Sequence, residues 1–277
     1  MLYLCYILTG DFVEKYDVKF KKKFGQNFLR DNSVVLKIVN LCNITKNDLV
    51  IEVGPGGAIL TRELSKVAKN VLAYEIDEDL KNELSKKLSQ SENVDVIYKD
   101  FLNSDIVSDI KKYDYDNVYF VSNVPYYITT PIVMKLINSD IKFKKICMMV
   151  QKEVADRFST EAGNKSYGSI TVLLNYYFDV NYEFFVPREE FIPAPNVDSA
   201  VISFVEKDTK LELKDKKFFE RLVRDSFQFK RKNIRNNLKQ YDLDKISLVL
   251  SKYGYDLSVR AEQLDIEIFV ELANSLI

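Results

Sequence analysis

Residues 48–57 read Asp48-Leu49-Val50-Ile51-Glu52-Val53-Gly54-Pro55-Gly56-Gly57. The apolar run at 48–53 predicts a buried strand, because such runs fit a sheet that is covered on both faces. The glycine turn at 54–57 ends the strand, and residues 60–68 predict a helix after it. A strand, a glycine turn and a helix in this order place free backbone N–H groups where a ligand can meet them.

The chain continues with alternating strands and helices. Apolar runs predict further strands at 70–75, 94–98, 118–122 and 145–150, and helices at 79–89 and 129–138. For the second of these helices we expect Thr129 or Thr130 as the N-cap and Pro131 at the first helical position. The alternation predicts a parallel, doubly wound α/β sheet of Rossmann-like form.

Two later β runs, at 182–186 and 200–205, follow a helical stretch that ends near residue 178. We expect them to form an antiparallel hairpin at the sheet edge, which is typical of methyltransferases rather than dinucleotide enzymes. From about residue 207 the pattern is helical through 277, which predicts a boundary between Glu206 and Thr209. The prediction is a catalytic domain at 1–206, whose residues 1–30 complete the ligand site, and a small all-helical domain at 207–277.

Composition excludes several classes of protein. The 277 residues include no histidine, so a Ser-His-Asp hydrolase, a histidine–metal site and a histidine base are excluded, and we expect no metal. The three cysteines are scattered (Cys5, Cys42, Cys147), which is typical of reduced thiols in a cytoplasmic protein. The apolar opening at 1–8 is much shorter than the roughly 20 residues of a membrane span. We expect a packed helix there and neither a signal peptide nor a membrane anchor.

Positive charge is concentrated in two segments, although the net charge is only −1. Residues 19–30 carry five basic side chains and no acidic one, and residues 216–239 carry nine against Glu220 and Asp225. Two basic patches far apart in sequence can converge on one phosphate backbone. The alternative for each patch is a solvated surface.

Acidic residues follow the next two predicted strands. The loop pattern Glu52-x-Gly54-x-Gly56 lacks the third glycine of a dinucleotide fingerprint, because Ile59 stands there. The pattern that remains is associated with S-adenosylmethionine. Glu75 ends its strand where a carboxylate can bind both ribose hydroxyls, with Asp77 as the competing candidate, and Asp100 is placed to accept from the adenine amine.

The tetrad Asn123-Val124-Pro125-Tyr126 follows the strand at 118–122. The exocyclic amine of a nucleobase is a poor nucleophile, so a site that alkylates it has to accept hydrogen bonds from its N–H groups. The Asn123 side-chain oxygen and the Val124 carbonyl can accept them, Pro125 fixes the bend, and Tyr126 offers a stacking face. The alternative is a strand-to-helix turn that Asn123 and Pro125 only shape.

Four motifs together resemble the ribosomal RNA adenine dimethyltransferases, in order and in spacing. They are Lys23-Phe24-Gly25-Gln26-Asn27-Phe28-Leu29, the glycine loop, the tetrad, and Phe191-Ile192-Pro193-Ala194-Pro195-Asn196-Val197. Residues 149–158 and 165–169 are similar to the branch that acts on small-subunit RNA. The resemblance covers nearly the whole chain. It implies a Rossmann-like S-adenosylmethionine-dependent methyltransferase that dimethylates N6 of two adjacent adenosines near the 3′ end of that RNA.

The resemblance also implies roles for individual residues. It places Asn27, Leu29, Gly54, Glu75, Asp100 and Asn123 against the cofactor, and Asn123, Tyr126 and Phe191 around the flipped adenine. The basic residues expected at the RNA are Lys21, Lys22, Lys23, Lys230, Arg231 and Arg235. One departure from the family pattern is Ala58, at a position that is often glycine. We expect a monomer that acts on an immature small ribosomal subunit.

Two alternatives stay open at the level of sequence. One is the macrolide-resistance branch, which dimethylates an adenine of large-subunit RNA with the same tetrad; residues 151–158 and 165–169 argue against it. The other is an RNA-binding assembly factor that keeps the fold without catalysis, against which intact Asn123, Tyr126 and Glu75 argue.

Overall fold

The computed structural model describes residues 28–29, 32–208 and 211–277. Several predictions lie outside these residues: the helix at 1–8, the cofactor contact of Asn27 and the basic side chains Lys21, Lys22 and Lys23. None of the helices in the described part of the chain has the length and apolar content to cross a membrane.

A seven-stranded sheet forms the centre of the molecule, in the order β4-β3-β2-β5-β6-β9-β7. Its first five strands are parallel, and β9 runs antiparallel to both β6 and β7. A separate antiparallel pair joins β1 to β8. The strands are β1 (Phe28–Leu29), β2 (Leu49–Val53), β3 (Asn70–Glu75), β4 (Val94–Tyr98), β5 (Val118–Asn123), β6 (Phe143–Gln151), β7 (Phe178–Val186), β8 (Phe191–Ile192) and β9 (Ser199–Glu206).

The parallel sheet and the antiparallel pair at its edge confirm the predicted fold class. The bounds of β7 are wrong in the prediction, because the strand begins at Phe178 instead of 182. Its outer positions carry Asp179 and Asn181, which interrupt the apolar run, and its register shifts between Tyr182 and Phe184. Sequence patterning therefore detects only the second half of this strand, from residue 182 onward.

Helices cover both faces of the sheet and make up the C-terminal region. They are α1 (Asn32–Cys42), α2 (Ile59–Val67), α3 (Lys81–Lys87), α4 (Ile106–Ile110), α5 (Thr129–Ile137), α6 (Lys152–Phe158), α7 (Ser169–Tyr177), α8 (Lys216–Ser226), α9 (Ile234–Asn237), α10 (Leu243–Lys252) and α11 (Ile266–Ser275). The sequence did not predict α1 or α4.

The predicted start of α5 is also wrong. A short 3-10 turn runs directly into the helix, so Ile128 is the N-cap and has no side-chain capping bond. Thr129 is already helical, and its hydroxyl donates to the Tyr126 carbonyl at 3.3 Å instead of capping the helix. Pro131 is consequently the third helical residue and not the first.

Side chains of the central strands alternate between two apolar cores, one on each face of the sheet. One face of the sheet buries Ile51, Leu72 and Phe120, and the other buries Val50 and Val71. This alternation follows from the two-residue period of a strand. The first core continues into the C-terminal helices through Phe219 of α8 and Phe269 of α11. The C-terminal helices α8 and α11 therefore share one apolar core with the sheet.

Asn237 fixes the turn between α8 and α9. Its side chain is 3% exposed. Its amide nitrogen donates to the Ser226 carbonyl at 2.8 Å and lies within 3.3 Å of the Phe229 and Lys232 carbonyls. Its amide oxygen accepts from the Phe229 N–H at 3.1 Å. One side chain thus contacts four backbone groups of a turn that carries Lys230 and Arg231.

We expect Asn237→Ala to lower the free energy of unfolding by about 1–3 kcal/mol, because it leaves buried backbone groups without partners. Urea unfolding measures this loss. The control is Asn236→Ala, since Asn236 is exposed and, among the described residues, its side chain bonds to Asn233 alone. Equal losses in the two variants would contradict the anchoring role of Asn237.

Candidate active site

The carboxyl ends of four parallel strands meet at one cavity. Its lining includes Gly54 after β2, Glu75 at the end of β3, Asp100 after β4 and Asn123 at the end of β5. Leu29 of β1 also lines it, as does Tyr126. The structure therefore brings together six of the residues that the sequence selected. This is the edge at which parallel α/β sheets bind ligands.

The glycine loop owes its shape to residues with positive φ. Gly54 has φ 73° and Gly56 has φ 48°, a region that favours glycine. The Gly54 N–H donates to the Tyr74 carbonyl at 2.8 Å, which fastens the loop to β3. Ala58 is also left-handed, at φ 62°, but it is buried with Leu80 and Leu84 and does not line the cavity. Its extra methyl group therefore leaves the cavity open.

Glu75 is a buried carboxylate, 4% exposed, that holds two loops. One oxygen accepts from the Asp77 N–H at 2.9 Å and the other lies 3.3 Å from the Gly56 nitrogen. Burial raises the pKa of Glu75, and these N–H donors oppose the rise. Asp77 caps the following 3-10 turn by accepting from Asp79 and does not line the cavity. The geometry favours Glu75 over Asp77 as the ligand-facing acid.

Asp100 is held by its own turn. One carboxylate oxygen accepts from the Leu102 N–H at 2.9 Å, and the other accepts from the Asn103 side chain at 2.7 Å. These bonds fix the orientation of the carboxylate at the cavity wall, while each oxygen retains a lone pair for a further donor.

Glu52 is a site residue that the sequence marked only as part of the loop pattern. Its side chain lines the cavity, is 1% exposed, and has one carboxyl oxygen without a hydrogen-bond partner among the described residues. Burial raises the pKa of Glu52 to about 8, and the nearby Glu75 carboxylate adds to the rise. An acidic residue inside an otherwise apolar strand is the sequence signal that could have singled it out.

The tetrad is fixed to the sheet on both sides. The Val124 N–H donates to the Met149 carbonyl of β6 at 3.2 Å, and the Ser122 hydroxyl donates to the Val53 carbonyl of β2 at 2.7 Å. The 3-10 turn at Tyr126–Ile128 follows Pro125. The backbone on either side of Asn123 is therefore held by the two neighbouring parallel strands.

Phe191 does not reach the cavity. It is 2% exposed, pairs with Leu29 across the β1–β8 ladder, and packs in the core that contains Val186 and Val201. Only its pairing partner Leu29 lines the cavity.

The C-terminal basic residues lie on the surface. Lys230, Arg231 and Arg235 are exposed, while Ile234 and Leu238 are fully buried. The segment is not one continuous helix, because the chain turns between α8 and α9. Across the described ranges, no cluster of three or more acidic, cysteine or histidine side chains is placed to hold a metal ion.

Comparisons with known proteins identify relatives over nearly the whole chain. The small-subunit ribosomal RNA methyltransferase A of Lactococcus lactis is 40% identical, and the match covers 98% of this chain and 95% of that protein. The protein of the same name from Streptococcus pyogenes serotype M5 is 42% identical over 98% of this chain and 97% of its own.

Solved structures show the same fold. The 23S rRNA methyltransferase ErmE superposes with a TM-score of 0.71 at 28% identity, covering 90% of this chain and 99% of that one. A dimethyladenosine transferase from Plasmodium falciparum gives a TM-score of 0.73 at 24% identity, over 88% and 95% of the two chains. The family model for ribosomal RNA adenine dimethylases matches residues 17–277, so the chain belongs to that family.

Proposed function

We propose that this protein dimethylates N6 of two adjacent adenosines in the 3′-terminal hairpin loop of small-subunit rRNA during subunit biogenesis. The observation that carries the proposal is the meeting of Asn123 and Tyr126 with Gly54, Glu75 and Asp100 at one cavity. The similarity to small-subunit methyltransferases over 98% of the chain favours that RNA over large-subunit RNA. We propose that the protein acts in the cytoplasm, as a monomer.

The cavity fits S-adenosylmethionine as methyl donor. When bound, this cofactor supplies an activated methyl group on a sulfonium. Its positive charges suit the two buried carboxyl groups of Glu52 and Glu75, one of which has an oxygen without a partner. We assign Glu75 to the ribose and Asp100 to the adenine of the cofactor. Gly54, Leu29 and, outside the described residues, Asn27 complete the contact set.

The chain's main task at the reacting centre is to orient the target amine. We propose that the Asn123 side-chain oxygen and the Val124 carbonyl accept from its N–H groups, which leaves the nitrogen lone pair directed at the methyl carbon. A methylated amine nitrogen becomes acidic and loses its proton to water. No strong base is then needed, in agreement with a chain that lacks histidine.

An aromatic side chain receives the target base. Extrusion of a loop adenine costs a few kcal/mol of free energy, and stacking on Tyr126 offsets about 1–3 kcal/mol of that cost. We assign the stacking role to Tyr126 alone, because Phe191 is buried beside its ladder partner Leu29 and does not reach the cavity.

Asn123→Ala removes the main side-chain acceptor. We expect methyl transfer to immature small subunits to fall by about 100-fold or more, the scale of losing one preorganised polar group at a reacting centre. The measurement is label transfer from radioactive S-adenosylmethionine, with large subunits as the parallel substrate. Thermal unfolding of the variant serves as the control for folding. Near-normal turnover by Asn123→Ala, or preference of the native protein for large subunits, would contradict the proposal.

Glu52 gives cofactor binding a pH dependence. Its carboxyl, with a pKa of about 8, is mostly protonated at neutral pH in the free protein. A cationic ligand favours the ionised form, so binding releases a proton and affinity rises with pH until the free carboxyl is itself ionised. Calorimetry at neutral pH in two buffers of different ionisation heat counts the protons released.

The matched variant is Glu52→Gln, which keeps the shape of the side chain and cannot ionise. Glu75 also has a raised pKa, so the difference between the two proteins isolates Glu52. We expect the native protein to release more protons than Glu52→Gln. Equal proton release would remove Glu52 from the coupling.

Basic residues dock the RNA in this proposal. Lys230, Arg231 and Arg235 are exposed on the turn and helix that Asn237 supports. Lys21, Lys22 and Lys23, outside the described residues, form the second patch. Contacts to phosphates position a substrate without reading its sequence.

Replacement of Lys230, Arg231 and Arg235 by Glu should weaken binding to small subunits. The slope of log affinity against log salt should fall by roughly 0.7–0.9 for each lost phosphate contact. A filter-binding titration over several salt concentrations measures the slope. The control is a second triple variant with the same change in charge at exposed sites elsewhere on the surface, in which Glu replaces Lys86, Lys111 and Lys142. Identical slopes in the two triple variants would assign docking to the N-terminal patch.

A further inference from the structure

We propose that Ser199 is a positioning residue that holds the ring of Tyr126 in the orientation needed to receive the target adenine. The Ser199 hydroxyl lies 2.6 Å from the Tyr126 hydroxyl, a short hydrogen bond. Ser199 is fully buried at the first position of β9. The inference rests on the proposed function, because it concerns how the same site orients its substrate.

The sheet gives Ser199 a fixed place. It pairs with Gln151 of β6 on one side and with Val186 of β7 on the other. A residue paired on both sides in a central strand cannot shift without breaking two ladders. The hydroxyl of Ser199 is thus a rigid anchor, and it is 73 positions away from its partner in sequence.

Tyr126 is tied at its backbone as well. The Ile128 N–H donates to the Pro125 carbonyl at 3.1 Å, and the Thr129 hydroxyl donates to the Tyr126 carbonyl at 3.3 Å. The side chain is therefore held at both ends, by the 3-10 turn and by Ser199. Two ties leave the ring little freedom about either of its side-chain torsions.

A fixed ring matters for this reaction. Stacking on an aromatic face sets the plane of the base, and the plane of the base sets the direction of its amine relative to Asn123. Burial raises the pKa of Tyr126, so the phenol stays neutral and keeps its proton for hydrogen bonding. Without the Ser199 hydroxyl the half-buried Tyr126 phenol loses this partner, and its ring can turn toward water.

The test is a double-mutant cycle of Ser199→Ala and Tyr126→Phe, which remove the same bond from opposite sides. Each single variant should lower kcat for methyl transfer about 3–10-fold, the rate equivalent of about one hydrogen bond. The double variant should be no slower than the slower single variant. KM for the subunit and affinity for S-adenosylmethionine should change less than twofold, on the order of ordinary surface effects.

Ser203→Ala is the matched control. Ser203 lies on the same strand, is equally buried, and bonds Glu183 away from the cavity. The Ser203→Ala variant should lose about as much thermal stability as Ser199→Ala and should keep the native kcat. If Ser199→Ala fails to fold, Tyr126→Phe still reports on the bond, and a native kcat in that variant overturns the proposal.

Two other results would also overturn it: a double variant whose loss equals the product of the single losses, or an equal loss of kcat in Ser203→Ala. Failure of the proposed function is distinct, because the native protein would then transfer no methyl groups to small subunits.

Discussion

The cavity depends on the carboxylate of Glu75. A buried carboxylate has to be hydrogen-bonded, and Glu75 meets this requirement with the N–H groups of Gly56 and Asp77. Those two bonds tie the loop after β2 to the loop after β3. Gly54 and Gly56, both at positive φ, belong to the loop that these bonds hold. Glu52 lies near Glu75 as a second buried carboxyl group of the cavity.

The antiparallel edge of the sheet supports the other half of the site. Parallel strands end at the cavity, so an antiparallel strand in the same sheet has to begin there. The register shows this directly: Asn123 pairs with Met149 on β6, and two residues further Gln151 pairs with Ser199, where β9 starts. The antiparallel pair of β7 and β9, which the sequence predicts, thus also places the Ser199 hydroxyl beside Tyr126. A purely parallel sheet would bring no strand start to this edge.

The sequence predicts those parts of the site that depend on local pattern. Gly54, Glu75, Asp100 and Asn123 follow strands of regular apolar period, and parallel pairing is enough to bring them together. The pairing of Phe28–Leu29 with Phe191–Ile192 is too short to carry a period, so nothing local indicated that Phe191 is buried. The contact between Ser199 and Tyr126 spans 73 positions and depends on a register that tertiary packing sets. The roles of Thr129 and Asn237 depend likewise on turns whose partners lie in neighbouring segments.

Mass spectrometry of small-subunit rRNA, after methylation of immature subunits by the purified protein, tests the central claim most directly. A monomethylated amine keeps one N–H donor for the proposed acceptors at Asn123 and Val124, so the account predicts N6,N6-dimethyladenosine at two adjacent adenosines of the 3′-terminal hairpin loop. Unmodified bases elsewhere in the same RNA are part of that prediction. Monomethyladenosine as the end product, or modification confined to other positions, would contradict it.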